Sequence, residues 1–235
     1  MCGRYAKKTP NIVIEDDLEL QHLLEGADLP RYNIAPSQQA LVVTSELPRR
    51  LQPMKWGLLP AAVRDLKGFK PLVNVQGESL TVKPIFREAF RQRRCLVVAD
   101  GFFEWKETPI GKQPMYMQAR TGQFLCFAGV WDAWTDAEGR PQRTFAILTT
   151  EPNGFMADIH ERMPVILGGD DRQHWLNPAR TTDDLLQLLR PCPDDVLQAH
   201  RVSALVNSTR NEMPELILPL DMLPPGFEGG QQSLF

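Results

Sequence analysis

Residues 95–99 read Cys-Leu-Val-Val-Ala, an aliphatic and β-branched run that is typical of a β-strand. Four further runs of this kind are residues 40–44, 115–119, 124–130 and 144–149. Apolar residues recur at helical spacing in residues 15–24, 84–93, 171–175 and 182–189. The 20 prolines and 16 glycines divide the chain into short elements. The sequence therefore predicts an α+β fold in which antiparallel strands dominate and short helices pack outside them.

The length and composition of the chain indicate one main folding unit. Its 235 residues, 43% of them apolar, are enough to bury a sizeable core. We expect one compact domain over residues 1–223. Residues 224–235 lose the periodicity and contain Pro-Pro-Gly and Gly-Gly, so they predict a mobile tail.

The charge balance limits the kind of partner. The 26 basic and 29 acidic residues give a net charge of −3, which excludes the overall positive field of a non-specific nucleic-acid-binding protein. Any contact with DNA must therefore come from a local patch. The sequence shows no signal-peptide pattern and no apolar run of membrane-spanning length. We expect a soluble, cytoplasmic monomer with no membrane partner.

The four cysteines, Cys2, Cys95, Cys126 and Cys192, lie far apart in the sequence. Their spacing is not that of a zinc site or of a disulfide framework, so we expect neither a metal nor a cofactor. Cys95 and Cys126 lie in apolar runs and are expected in the core. Cys192 lies between two prolines and is expected to be a loop thiol.

Cys2 differs from the other cysteines because removal of Met1 would make it the N-terminus. Its α-amine, with a pKa near ~8, and its thiol, near ~8.5, would then both be partly reactive at neutral pH. The amine can form a Schiff base with an aldehyde, and the thiolate can close on the same carbon to give a thiazolidine. The alternative is that a cysteine at position 2 is incidental.

Several motifs occur together and in a fixed order. They are Met-Cys-Gly-Arg-Tyr at residues 1–5, Tyr-Asn-Ile-Ala-Pro-Ser-Gln at 32–38, Trp-Gly-Leu-Leu-Pro at 56–60, Ala-Asp-Gly-Phe-Phe-Glu-Trp-Lys at 99–106 and His-Glu-Arg-Met-Pro at 160–164. A later stretch from Val202 to Leu216 agrees as well. Through these motifs the chain resembles the SRAP family, the SOS response-associated peptidase or abasic-site shield proteins, over nearly its whole length.

The resemblance implies a fold and an activity. The fold is a single α+β domain with an antiparallel, barrel-like β core and a groove for single-stranded DNA that ends at Cys2. The activity is covalent crosslinking to abasic sites through a thiazolidine, which shields the lesion in the DNA damage response and can be reversed. Lyase-type Schiff base chemistry and peptidase activity limited to self-processing are also implied.

Three residues besides Cys2 are expected to be catalytic. Glu104 lies among aromatic residues, a setting that raises the pKa of a carboxyl and suits it to general acid–base catalysis. His160 could protonate the ring oxygen of the closed abasic sugar or assist reversal. Asn74 could orient the Cys2 amine or the sugar oxygens. The alternative for Glu104 is a strand glutamate that faces solvent, and the alternative for His160 is an ordinary structural histidine.

The expected DNA contacts belong mostly to the same motifs. They are Gly3, Arg4, Asn33, Pro36, Trp56, Gln76, Arg87, Arg162 and Met163. Gln76 stands where the family usually has an arginine. Ala61-Ala62 stand after the motif at residues 56–60, where family members often have a tryptophan. Two of the contacts therefore differ from the family pattern.

Basic residues supply further candidates for phosphate contacts. Besides Arg4 they are Lys55 and the cluster Arg87, Arg91, Arg93 and Arg94. The alternative for the cluster is a solvated helix face.

The last five residues, Gln231 to Phe235, read Gln-Gln-Ser-Leu-Phe. They resemble the bacterial sliding-clamp-binding pentapeptide, except that the second position is glutamine where leucine is usual. A replication clamp is therefore an expected partner besides single-stranded DNA with abasic sites.

Rival functions remain for a chain that begins Met-Cys-Gly. N-terminal-nucleophile hydrolases, including glutamine amidotransferases, attack an amide through such a thiol, but no synthase partner domain is visible in 235 residues. A non-catalytic module that binds single-stranded DNA is a second rival, and a peptidase is a third.

Overall fold

The computed structural model describes residues 2–22, 28–63 and 66–227. Its strands are β1 (Tyr5–Lys7), β2 (Arg31–Ile34), β3 (Gln39–Thr44), β4 (Leu51–Trp56), β5 (Asn74–Gln76), β6 (Arg94–Ala99), β7 (Gly101–Thr108), β8 (Gly111–Ala119), β9 (Leu125–Thr135), β10 (Pro141–Thr150), β11 (Met163–Pro164), β12 (Ile166–Leu167) and β13 (Leu197–Arg201). Its α-helices are α1 (Asn11–Asp17), α2 (Ser79–Val82), α3 (Pro84–Gln92), α4 (Gly154–Ala157), α5 (Asp171–Leu176) and α6 (Thr182–Leu186). Short 3₁₀ helices are Ala204–Asn207, Pro214–Ile217 and Leu220–Met222.

Five strands close on themselves to form a barrel. Following the hydrogen-bonded neighbours from β10 through β4, β3, β6 and β9 leads back to β10. The pairs are antiparallel except for β10 with β4, which is parallel. The aliphatic strand β6 lies between β3 and β9, and every residue of it is buried. The expected barrel-like α+β fold is confirmed.

A second, antiparallel sheet has the order β13-β8-β7-β1-β2 across the described chain. The N-terminal strand β1 lies inside this sheet, because Tyr5 pairs with Phe102 of β7 on one side and with Ile34 of β2 on the other. A hydrophobic cluster that includes Cys2, Tyr5, Trp56 and Phe127 packs between this sheet and the barrel. Cys2 and β1 are therefore held in the protein interior.

Each predicted helix overlaps an observed one, but three of the predicted boundaries are wrong by three residues or more. α3 spans Pro84–Gln92, close to the predicted 84–93, and it begins with a proline that favours a first helical turn. α1 begins earlier than predicted and ends at Asp17, because Glu19 has a left-handed backbone with φ of 53°. α6 likewise ends at Leu186 rather than at residue 189. Residues 23 and 24 of the first predicted helix lie outside the described residues.

The predicted tail is described only in part. Residues 224–227 form a turn in which the Phe227 carbonyl accepts a hydrogen bond from the Ser203 hydroxyl. Residues 228–235, including the clamp-like pentapeptide, lie outside the described residues. Among the helices that the structure describes, none is long and apolar enough to cross a membrane.

Arg94 shows how the helices are joined to the barrel, and it corrects one expectation. Its side chain is fully buried and donates to the carbonyls of Phe90 at 2.9 Å, Trp175 at 2.6 Å and Asn177 at 2.8 Å. The guanidinium therefore donates to backbone carbonyls at the C-terminal ends of both α3 and α5, which would otherwise lack hydrogen-bond partners. The expected phosphate contact by Arg94 is wrong, because no phosphate can reach it.

Replacing Arg94 by methionine should lower the free energy of unfolding by about 2 to 4 kcal/mol, because several buried carbonyls lose their donor. Urea unfolding measures this change. The exposed Arg87→Met on α3 is the matched control and should stay within about 0.5 kcal/mol of the unaltered chain. Equal stability of the two variants would contradict the role given to Arg94.

Candidate active site

Cys2 lies at the entry to β1, and its side chain is fully buried. Its carbonyl accepts a hydrogen bond of 2.8 Å from the side-chain amide of Asn74. Asn74 is the first residue of β5 and pairs in register with Ile147 of β10, so the barrel holds the amide in place. The predicted pair of Cys2 and Asn74 is thus brought together through the Cys2 backbone.

Glu104 lies in the middle of β7, and only 2% of its surface is exposed. Burial raises the pKa of its carboxyl from 4.5 to about 7. The alternative of a solvent-facing glutamate is therefore wrong. The carboxyl can both release and accept a proton near neutral pH, which is the requirement for a general acid–base group.

His160 faces Glu104 from the loop that follows α4. Its Nε2 lies 3.7 Å from Oε2 of Glu104, and its Nδ1 accepts a hydrogen bond of 3.0 Å from the backbone N–H of Arg162. The same Nδ1 also lies 3.2 Å from the Arg162 carbonyl, so both tautomers of the neutral ring find a partner at Arg162. Burial lowers the pKa of His160, so the ring is neutral near pH 7.

The state of the Cys2 thiol differs from the expectation. Burial, followed by the negative charge of Glu104, raises the pKa of this thiol far above its ordinary value. The expected thiolate fraction at neutral pH is wrong for this buried side chain, which holds its proton. A bond at this sulfur would therefore require the thiol to lose its proton, and Glu104 is close enough to affect the pKa of the thiol.

The other three cysteines lie in the core, as their surroundings predict for Cys95 and Cys126. Cys192 lies in the loop between α6 and β13, as expected, but it is buried, and its sulfur lies 3.8 Å from the side-chain amide nitrogen of Asn153. Within the described ranges, no group of three or more His, Cys, Asp or Glu side chains is arranged to hold a metal ion.

Some of the expected DNA-contact residues are fully buried. Trp56 is one of them, and its indole N–H donates to the Val73 carbonyl at 2.9 Å. Asn33 is fully buried and accepts a hydrogen bond of 2.7 Å from Arg4. Met163 is fully buried as well. These three side chains therefore present no surface to a DNA strand.

Other residues of that set lie at the surface or close to it. Gly3, Arg4, Pro36 and Arg162 are half-buried, whereas Gln76 on β5 and Arg87 on α3 are exposed, as are Ala61 and Ala62. Gln76 follows Asn74 by two residues and Arg162 follows His160 by two, so both lie next to the proposed catalytic groups. Arg87 belongs to a different element.

Arg162 has a partner that the sequence did not reveal. Its guanidinium donates to both carboxylate oxygens of Glu78, at 2.9 Å each, and to the Thr149 carbonyl at 2.8 Å. The Arg162 hydrogen bond lowers the pKa of Glu78, so that carboxyl is charged. This bidentate ion pair joins the segment after β5 to the segment after His160. The only sequence signal was that Glu78 follows Asn74 and Gln76 within five residues.

Comparison with known proteins gives consistent matches. Residues 1–209 match the family model described as SOS response associated peptidase (SRAP). The chain is 42% identical over 223 residues to the abasic site processing protein YoqW of Bacillus subtilis, covering 92% of this chain and 99% of that protein. It is 30% identical to the abasic site processing protein HMCES of Gallus gallus, covering 86% of this chain and 70% of the other.

Solved structures share the fold. A protein from Bacteroides thetaiotaomicron superposes with a TM-score of 0.81 at 24% identity, over 93% of this chain and 99% of that one. A phage-related protein from Bordetella bronchiseptica superposes with a TM-score of 0.66 at 29% identity, over 86% of this chain and 94% of that one.

The raised pKa of Glu104 predicts a pH-dependent stability. Because the folded chain holds a proton that the unfolded chain releases above pH 4.5, the contribution of this group is present below pH 4.5 and is lost as the pH rises toward 7. Glu104→Gln should therefore gain up to about 3 kcal/mol of unfolding free energy relative to the unaltered chain between pH 4 and pH 8.

Urea unfolding at both pH values measures this difference. Glu107→Gln, an exposed change on the same strand, serves as the control and should run parallel to the unaltered chain. A parallel course for Glu104→Gln as well would show that Glu104 has an ordinary pKa.

Proposed function

This chain belongs to the SOS response associated peptidase (SRAP) family, and we propose that it recognises and processes abasic sites in DNA as part of the DNA damage response. The names of its relatives support abasic-site processing. We further propose that Cys2, with Met1 removed, crosslinks to the lesion in single-stranded DNA and shields it. Removal of Met1 by the chain itself would account for a self-directed peptidase activity.

The observation that carries this proposal is the position of Cys2. The side-chain amide of Asn74 donates to the Cys2 carbonyl at 2.8 Å. The negative charge of Glu104 helps to raise the pKa of the Cys2 thiol. The Glu104 carboxyl in turn lies 3.7 Å from the His160 ring. A nucleophilic residue is thereby fixed beside one acid–base group with a pKa of about 7 and one neutral imidazole.

The proposed reaction balances as an aldehyde condensation. The Cys2 amine adds to the aldehyde carbon of the opened abasic sugar, and the carbinolamine loses water to give an imine. Glu104 takes a proton from the nitrogen and returns one to the departing hydroxyl. The Cys2 sulfur then bonds to the same carbon while its proton passes to nitrogen, which closes the thiazolidine. The net products are the ring and one water molecule.

His160 is suited to the step before condensation. An abasic sugar is mostly closed, so its ring oxygen must gain a proton for the aldehyde to form. In the tautomer that carries its proton on Nε2, the neutral ring can give that proton, and Glu104 can replace it. Running the same transfers backward reopens the thiazolidine, which is the proposed route for reversal of the crosslink.

Cys2→Ser should abolish the heat-stable adduct. We expect the mature chain to form such an adduct with a single-stranded oligonucleotide that carries one abasic site, because both the amine and the thiol are needed for the ring. Denaturing electrophoresis and mass spectrometry measure the product. Borohydride should still trap an imine in the serine variant, whereas an unreduced stable adduct there would refute the thiazolidine.

Glu104→Gln should slow crosslinking by about 100-fold or more, the usual size of a general acid–base contribution. The rate of the unaltered chain should change with a midpoint near pH 7, and this inflection should be missing in the variant. Single-turnover rates between pH 5 and pH 9 measure both effects. Glu107→Gln, on the same strand but exposed, should keep the unaltered profile. Equal rates for the two variants would remove Glu104 from the reaction.

A partner is proposed for the residues that lie outside the described structure. Gln231 to Phe235 would bind the apolar pocket of a replication clamp, which would bring the protein to single strands at forks. Deleting these residues should abolish clamp binding in a pull-down with purified proteins, and unchanged binding would remove the partner.

A further inference from the structure

Not all of the arginines singled out in the sequence lie near Cys2. Arg91 and Arg93, at the end of α3, line a cavity of about 800 Å³ together with Arg180, Trp131, Asp132 and Glu46. We name it the arginine cavity. Its volume lies within the range of roughly 300 to 1,000 Å³ that is usual for small-ligand sites.

The arginine cavity lies away from the proposed catalytic groups. Asp132 at its edge pairs with Thr144 of β10, whereas Asn74, which holds the Cys2 carbonyl, pairs with Ile147, three residues along the same strand. At about 3.3 Å per residue, the cavity begins roughly 10 Å along β10 from the residues that hold Cys2. The two sites can therefore be altered separately.

The two carboxylates that line the arginine cavity are already engaged. Asp132 pairs with Arg93 at 3.0 Å and accepts hydrogen bonds from the backbone N–H groups of Ala61 at 2.9 Å and Ala133 at 2.8 Å. Glu46 pairs with Arg143. Neither carboxylate is thus left to neutralise another cation or to hold a metal ion.

Positive charge remains in excess. Arg91 is exposed at the cavity, and in the described part of the chain neither Arg91 nor Arg180 forms an ion pair within 4.0 Å. The buried Nε of Arg180 and the indole nitrogen of Trp131, a residue only 4% exposed, have no hydrogen-bond partner among the described residues. An anion placed in the cavity supplies the acceptor that the guanidinium groups of Arg91 and Arg180 lack among the described residues.

We propose that the arginine cavity binds a phosphate group, either on a free phosphorylated compound or on a nucleic-acid strand. Arg91 and Arg180 hold the phosphate oxygens, because a guanidinium offers planar paired donors that match phosphate geometry. Arg93 stays with Asp132 and fixes the cavity wall. This site goes beyond the proposed crosslinking, since its residues take no part in the chemistry at Cys2.

Inorganic pyrophosphate tests the site directly. In the ¹⁵N-labelled full chain, titration at constant ionic strength should shift the indole N–H signal of Trp131, which is assigned with Trp131→Phe. The indole signals of Trp56, Trp105, Trp134 and Trp175 should not move. Combining Arg91→Gln with Arg180→Gln should weaken binding at least tenfold, whereas Lys83→Gln, an exposed change just before α3, should leave it unchanged.

The proposal is wrong if the indole N–H signal of Trp131 does not shift. It is also wrong if the double variant and the Lys83 variant bind pyrophosphate equally. A lesion-free single-stranded oligonucleotide then separates the two sources of phosphate. If a strand occupies the cavity, the double variant lowers the slope of log affinity against log salt by about 1. If a free compound does, that slope stays the same while pyrophosphate binding is still lost.

Pyrophosphate binding can also be tested separately from the proposed crosslinking. Cys2→Ser should bind pyrophosphate as the unaltered chain does, because its thiol lies outside the arginine cavity. A failure of crosslinking would therefore leave this site in place, and a failure of pyrophosphate binding would leave the crosslinking proposal in place.

Discussion

The pairing of β1 with β7 is the constraint on which the rest of the site depends. Tyr5 opposite Phe102 places the entry to β1 alongside the strand that carries Glu104. Asn74, fixed by the parallel pairing of β5 with β10, then holds the Cys2 carbonyl from the barrel side. The nucleophile of a mature chain would thus be held from both sheets, and the entropy cost of ordering a terminus is met by strand pairing and burial.

Burial also sets the protonation states in the site. The same apolar surroundings raise the pKa of Glu104 to about 7, lower the pKa of His160 and raise the pKa of the Cys2 thiol. All three groups are therefore neutral or close to their titration point at physiological pH. A condensation that moves protons at each step needs groups of this kind, whereas a permanently charged carboxylate would be a poor proton donor.

The fold class could be predicted from the sequence for physical reasons that can be stated. Aliphatic runs such as residues 95–99 are specified locally, so the main barrel strands could be predicted. The elevated pKa of Glu104 followed from its aromatic neighbours. The end of α1 could not be predicted, because it depends on the left-handed backbone at Glu19. Three further features could not be predicted, because they depend on contacts between residues distant in sequence. They are the protonation state of the Cys2 thiol, the burial of Arg94 and the bidentate ion pair between Arg162 and Glu78.

The central claim is that a free Cys2 amine and its thiol react together, and the most direct measurement is the mass of the N-terminal peptide from crosslinked protein. The account predicts a peptide that begins at Cys2, lacks Met1 and carries the abasic sugar with the loss of one water molecule, without reduction. An equally active protein whose crosslinked peptide retains Met1 would contradict it.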